Sequence, residues 1–290
     1  DPRAGTQWAV CNVLRNIAAT GATPLGISNC LNFGNPENPE IFWQLKESVE
    51  GMAEACEALG VPVTGGNVSL YNETGGEPVY PTPAIGAVGV IDDVSRAIPP
   101  GFREPGQKIG IIGRILGDEQ SICGSEYLET IHGIVSGNVK YPKLDLEKGI
   151  IDVLTDCSRT GMLSSAQSGS LGGLGAAIAL SCILGEEGAK GAKISIEALR
   201  WMFDAHHRID AVLFGECDSF VVVSFAADNE KSISELCNAK DVPFTVIGEV
   251  VSDGFTMTMC VRCGEANVID VSYADMAEAY NGGIRKAIGS

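Results

Sequence analysis

The chain has 290 residues, 45% of them apolar, and a net charge of −17. That length points to roughly two domains at ~100–200 residues each. The acidity sets the chain against phosphate backbones and anionic lipid, so neither a nucleic-acid nor a membrane partner is expected. The longest apolar runs, such as Phe220–Phe225, fall far short of the ~18–20 residues that a membrane span needs.

Ten cysteines are scattered along the chain. Several sit in apolar stretches, as Cys182 does in Ala179-Leu-Ser-Cys-Ile-Leu184, where a reduced thiol acts as a small hydrophobe. Dispersed thiols imply a reducing compartment and a cytoplasmic location. The close pair Cys260 and Cys263 lacks a second pair or a nearby histidine, so it reads as two strand cysteines rather than a zinc or redox site. The start, Asp1-Pro-Arg-Ala-Gly5, has neither an initiator methionine nor a signal peptide and reads as part of a longer chain.

Val10, Val13, Leu14 and Ile17 recur at helical spacing, predicting a helix that Gly21 ends. A short strand over Leu25–Ser28 leads into a polar loop, Asn29-Cys-Leu-Asn-Phe-Gly-Asn-Pro-Glu37. Asn38 and Pro39 then mark a helix start. Phe42, Leu45, Val49, Met52, Cys56 and Leu59 form its apolar face, and Gly60 stops it. Val61–Thr64 is a short strand running into Gly65-Gly66-Asn67, and Pro81–Ile91 is another. The Pro- and Gly-rich run over 99–106 is the strongest break and places a domain boundary there. Beyond it come a strand over Lys108–Gly113 and helices near Ser125–His132, Leu146–Arg159 and Gly172–Leu184. The strand Ser219–Phe225, a helix near Asn229–Ala239 and the strands Phe244–Val251 and Thr256–Val261 complete the pattern. The mixture indicates α/β or α+β organisation.

The sharpest candidate for chemistry is Thr64-Gly-Gly-Asn-Val-Ser-Leu-Tyr-Asn-Glu73. Paired glycines after a strand allow positive φ and close approach to a ligand, with backbone amides facing phosphate oxygens. Asn67 offers a neutral oxygen to a hard cation such as Mg²⁺, and Ser69 and Asn72 add donors and acceptors. On pattern alone a structural turn is favoured over a phosphate loop, and neither the Walker loop nor the dinucleotide fingerprint is present. The Asn29–Gly34 run is a second polar loop, with a plain connection the favoured reading. Between Arg15 and Arg96 the only basic residue is Lys46. A triphosphate at these loops would therefore depend on metal ions and on cations from elsewhere. His132, His206 and His207 have no partner recognisable from spacing and read as solvated or helix-terminal.

Together, Asn29–Glu37, Phe42-Trp-Gln44, Gly65–Glu73 and Tyr80-Pro-Thr-Pro83 resemble the large-subunit family of formylglycinamide ribonucleotide amidotransferase. The resemblance is closest up to about residue 92. It implies a two-domain module like that of aminoimidazole ribonucleotide synthetase, with an incomplete first domain over 1–104 and an α+β second domain over 105–290. The module would be the C-terminal of two tandem copies. The family's reaction uses ATP to turn the amide oxygen of formylglycinamide ribonucleotide into a phosphate leaving group. Ammonia from a glutaminase partner then displaces it to give the amidine. Carried over by position, the ATP contacts fall on Asn29 and Gly66, the Mg²⁺ ligand on Asn67 and a substrate contact on Ser69. The catalytic residues are expected in the N-terminal half of the same enzyme, and a small accessory subunit is a further possible partner. Departures from the family pattern are Asn29 where Asp is usual, Ala166-Gln-Ser-Gly-Ser-Leu-Gly-Gly-Leu174 without a histidine and two acids, and Gly215-Glu-Cys-Asp-Ser-Phe220 without an arginine. Gly172, Gly173 and Glu216 remain as matches of shape. The alternatives are a non-catalytic scaffolding half, or another ATP-dependent synthase or kinase of the same superfamily.

Overall fold

The computed structural model describes residues 1–199, 208–261 and 264–288. His206, His207 and Cys263 lie outside them. The first part runs α1 (Pro2–Ala19), β1 (Thr23–Asn32), α2 (Pro39–Leu59), β2 (Val63–Ser69), a hairpin of β3 (Glu73–Thr74) and β4 (Glu77–Pro78), and β5 (Thr82–Val90). Asp1 caps α1 by accepting from the Ala4 amide at 3.0 Å, and Gly21 turns the chain at φ 87°. As the sequence predicts, Asn38 caps α2 by accepting from the Glu40 amide, and Gly60 ends that helix in the left-handed region. The face of α2 is only partly as expected. Met52, Cys56 and Leu59 are buried, whereas Phe42 and Val49 are exposed, and Ile41, Gly51 and Ala55 fill the core instead.

The three strands lie in the order β2-β1-β5, with β2 parallel and β5 antiparallel to β1. β1 starts earlier and ends later than predicted: Asn29–Asn32 is strand, because it pairs on both sides. Ile27 and Leu31 of β1 and Ile85 and Ala87 of β5 pack toward α1 and α2. The opposite face, with Val88 and Val90, is exposed.

The second part continues with β6 (Lys108–Arg114), α3 (Glu126–His132), α4 (Leu144–Thr160), β7 (Ser165–Ser168), α5 (Gly173–Ile183), β8 (Lys190–Ser195), α6 (Ile209–Phe214), β9 (Ser219–Phe225), α7 (Glu230–Ala239), β10 (Phe244–Val251), β11 (Asp253–Val261), β12 (Gly264–Val271) and α8 (Tyr273–Ile288). Its mixed sheet has the order β12-β11-β8-β10-β6-β9-β7. Period-2 alternation divides β9 between two cores. Val221, Val223 and Phe225 face α4 and α7, while Phe220 and Val222 face the side of α5 and α6. Each such side chain contributes ~1.5–3 kcal/mol by leaving water.

The first core does not stop at the break over 99–106. α1 packs on α2 and β5 and also on α4 and β7, so Val10, Cys11 and Leu14 share one cluster with Leu154 and Val221. Arg15, fully buried, ties this seam. Its Nη1 pairs with Glu147 of α4, its Nε donates to Ser168 Oγ at 3.0 Å, and its Nη2 donates to the Gly169 carbonyl at 2.8 Å. Glu147 is equally buried, and its Oε2 has no partner among the described residues. No helix among the described residues is long and apolar enough to cross a membrane.

Candidate functional site

The two polar runs singled out in the sequence form one unit. β1 and β2 lie side by side with Asn29 opposite Gly66, Cys30 opposite Asn67 and Asn32 opposite Ser69. Neither Gly65 nor Gly66 has positive φ. The expected nest of amides after a strand is therefore absent here: both glycines are extended residues within β2. What Gly66 supplies is closeness. A Cβ there would overlap the side-chain and backbone oxygens of Asn29 and lie 2.9 Å from its Cγ. The Asn29 side chain points toward the helix layer, its Nδ2 donating to Met52 Sδ at 3.2 Å.

Asn67 behaves differently. The pleat puts its side chain on the other face of β2 from Gly66, where it is exposed and makes no side-chain hydrogen bond among the described residues. Only one of the expected contacts, the Asn29–Gly66 pair, is thus brought together directly. Ser69 lies two residues on from Asn67, and its hydroxyl is held by Asn72: Ser69 Oγ lies 3.2 Å from Asn72 Oδ1 and 3.1 Å from Asn72 Nδ2. Beyond β2 the chain is locked to the end of β1. The Phe33 amide donates to the Ser69 carbonyl, the Tyr71 amide to the Gly34 carbonyl, and the Asn35 amide to Glu73 Oε1 at 3.1 Å. This lock requires Tyr71 at φ 60°, a left-handed backbone that no glycine relieves. Such a residue costs ~1–3 kcal/mol, and neither spacing nor composition signals it.

The electrostatics match the cation-poor reading. Lys46 is exposed on α2 and pairs with Glu50, while Arg15 is spent in the seam. Among the described residues no cluster of three or more His, Cys, Asp or Glu could hold a metal ion. Asn67 therefore fits as one contributor to a metal site, not as a complete one. Elsewhere, Lys140 joins Asp118 at 3.2 Å and Asp218 at 3.0 Å. Burial raises the Asp118 carboxyl, but Lys140 and Ser121 together outweigh it and hold it below the usual carboxylate range. His132 closes α3 against Gly133 with its ring edge-on to Tyr127, as a helix-terminal histidine does.

Glu216 has a role that spacing could not show. Its Oε1 accepts from the amides of Gly172 at 2.8 Å and Glu126 at 3.0 Å, so one carboxylate serves the starts of both α5 and α3. Burial pushes this carboxyl up, partly offset by those two donors. Gly172 and Gly173, both at positive φ, make the turn that brings α5 to it.

The family models for AIR synthase related proteins match residues 1–91 with their N-terminal domain and residues 104–259 with their C-terminal domain. The chain belongs to this family. Within it, the chain is 40% identical over 288 residues to the phosphoribosylformylglycinamidine synthase subunit PurL of Symbiobacterium thermophilum, covering 97% of this chain and 36% of that protein. It also resembles two solved structures of T. maritima PurL, one complexed with FGAR (TM-score 0.73) and one with ATP (TM-score 0.69). Both are 20% identical and cover 96% of this chain, with 43% and 42% of the respective neighbour. This AIR synthase related chain thus spans about a third of the length of the curated relatives it matches. The amidotransferase resemblance seen in the sequence is borne out at that level, as is the mixed α/β class.

Proposed function

We propose that the chain is one module of an ATP-dependent synthase that converts formylglycinamide ribonucleotide to its amidine with ammonia released from glutamine, in purine biosynthesis. The observation that carries this is the Asn29–Gly66 contact, found in a chain 40% identical to PurL subunits along nearly its whole length. In this reading Asn29 and the Gly66 backbone contact ATP, Asn67 ligates Mg²⁺ and Ser69 contacts the ribonucleotide. Mg²⁺ would supply the positive charge that this stretch lacks. Gly66 lies against Asn29 with no side chain between them, its backbone on the edge strand β2, and Asn67 presents its amide oxygen from an open sheet face. That face is uncovered and poor in cations, which suits a site completed by the N-terminal half of the same enzyme. The ammonia-supplying glutaminase and a small accessory subunit are the other partners of this reading, and the cytoplasm its setting. Catalysis here rests on positioning and charge neutralisation.

The test uses the full-length protein with ATP, formylglycinamide ribonucleotide and ammonium ion. Asn67→Ala should raise the Mg²⁺ concentration for half-maximal turnover about tenfold, the effect of losing ~1.4 kcal/mol. Equal turnover, equal ATP affinity and an unchanged Mg²⁺ requirement would favour a scaffolding module instead.

A further inference from the structure

We infer that Asn72 is a positioning residue that sets the direction of the Ser69 hydroxyl, an inference that rests on Ser69 being the ribonucleotide contact. A serine hydroxyl on an open strand end ordinarily rotates among three staggered positions. Here it does not have that freedom. Asn72 meets Ser69 Oγ with both arms of its amide, at 3.2 Å through Oδ1 and 3.1 Å through Nδ2. The Asn72 amide nitrogen is itself fixed, donating to the Ser69 carbonyl at 2.9 Å and the Phe33 carbonyl at 3.1 Å. The Asn72 backbone amide also donates to Phe33 at 3.1 Å.

What folds Asn72 back onto Ser69 is Tyr71. Its left-handed φ of 60° turns the chain two residues past the end of β2, and the residue is 59% exposed. Burial of the ring therefore does not explain the strain. The strain instead holds a polar pair at the end of β2, where the cost is offset by the hydrogen bonds Asn72 makes. A hydroxyl held in advance loses less entropy when it meets a ligand. Because Asn72 touches the ligand only through Ser69, it supports ground-state and transition-state binding alike, which shows in KM rather than kcat.

The experiment is a double-mutant cycle in the full-length enzyme with Ser69→Ala, Asn72→Ala and the pair, reading KM for formylglycinamide ribonucleotide, kcat and the melting temperature. Asn72→Ala should raise KM about tenfold with kcat within about twofold. In the Ser69→Ala background the same change should leave KM where Ser69→Ala alone put it. If Ser69→Ala raises KM and Asn72→Ala multiplies it by the same factor in both backgrounds, Asn72 acts by some other route and the inference fails alone. If Ser69→Ala leaves KM untouched, the substrate reading of Ser69 fails and takes this inference with it. Should Asn72→Ala be too unstable to assay, Asn72→Leu keeps the side-chain shape without its hydrogen bonds and goes through the same cycle, with additivity again the overturning result.

Discussion

Adjacent glycines in β2 should respond in opposite ways to the same substitution. At Gly66 an added methyl meets the backbone oxygen of Asn29 as well as its side chain. Rotating the amide away removes only half of the overlap. Asn29 cannot recede, since β1 is paired to β2 on one side and to Ile85 of β5 on the other. β2 must move instead, by about an ångström to restore an ordinary contact of ~3.5 Å. Overpacking of this kind costs ~1–3 kcal/mol. β2 is an exposed edge strand held only by β1, so the lower half of that range applies, ~1–2 kcal/mol. That corresponds to a drop in Tm of about 2–8 °C. At Gly65 nothing lies within 4 Å and φ is not positive. Ala there should be neutral or should stabilise by up to ~1 kcal/mol, by restricting the unfolded chain. Thermal melts of Gly66→Ala and Gly65→Ala measure the contrast. Calorimetric titration of full-length protein with Mg-ATP then shows whether moving β2 weakens nucleotide binding. Equal melting of the two variants, or a larger loss at Gly65, would refute the packing account.

Two further outcomes are expected. Arg15→Met leaves Glu147 charged and buried without its partner, so urea denaturation should show a loss of ~3–5 kcal/mol. Adding Glu147→Leu should recover most of that loss, and a single change costing under ~1 kcal/mol would mean the pair is inconsequential. Burial pushes the thiols of Cys157, Cys182, Cys217 and Cys237 up to about 12 from 9.0. Raised folded values keep their stability contribution intact below pH 9 and remove it as pH climbs toward 12, because the unfolded thiols ionise first. Each of these thiols should therefore lower stability progressively as pH rises through that window. Melting curves that do not steepen downward above pH 9 would contradict it.

Much of the fold was legible because its strongest signals are local. Asn38-Pro39 and Gly60 bracket α2, and the mostly apolar run Phe220–Phe225 marks β9 because that strand is buried on both faces. β7 escaped notice: Ser165-Ala-Gln-Ser168 is short and polar, and it is held in the interior by groups far away in sequence. Arg15 reaches Ser168, and the Ser165 and Ser224 hydroxyls meet at 2.6 Å. β8 mixes two lysines, a glycine and a serine with only Ala192 and Ile194, and α8 runs through Gly282 and Gly283, a pair that ordinarily weakens a helix. At the candidate site, residue types singled out a stretch whose shape they gave wrongly. Gly-Gly has two physical uses, positive φ and close approach, and only the facing strand decides between them. In the same way Asn72 read as one more donor, since its grip on Ser69 depends on the backbone of Tyr71.

The buried seam around Arg15 has a consequence for how the chain comes apart. A helix that completes the hydrophobic interior under one sheet while lying against the partners of another cannot be lost by one without injuring both. Melting of α1 strips Val10 and Leu14 from Leu154 and Val221 at the same moment that it uncovers β5. The proline-rich crossing over 99–106 should therefore act as a bend in the covalent chain rather than a seam in its cooperativity. The two sheets should denature as one.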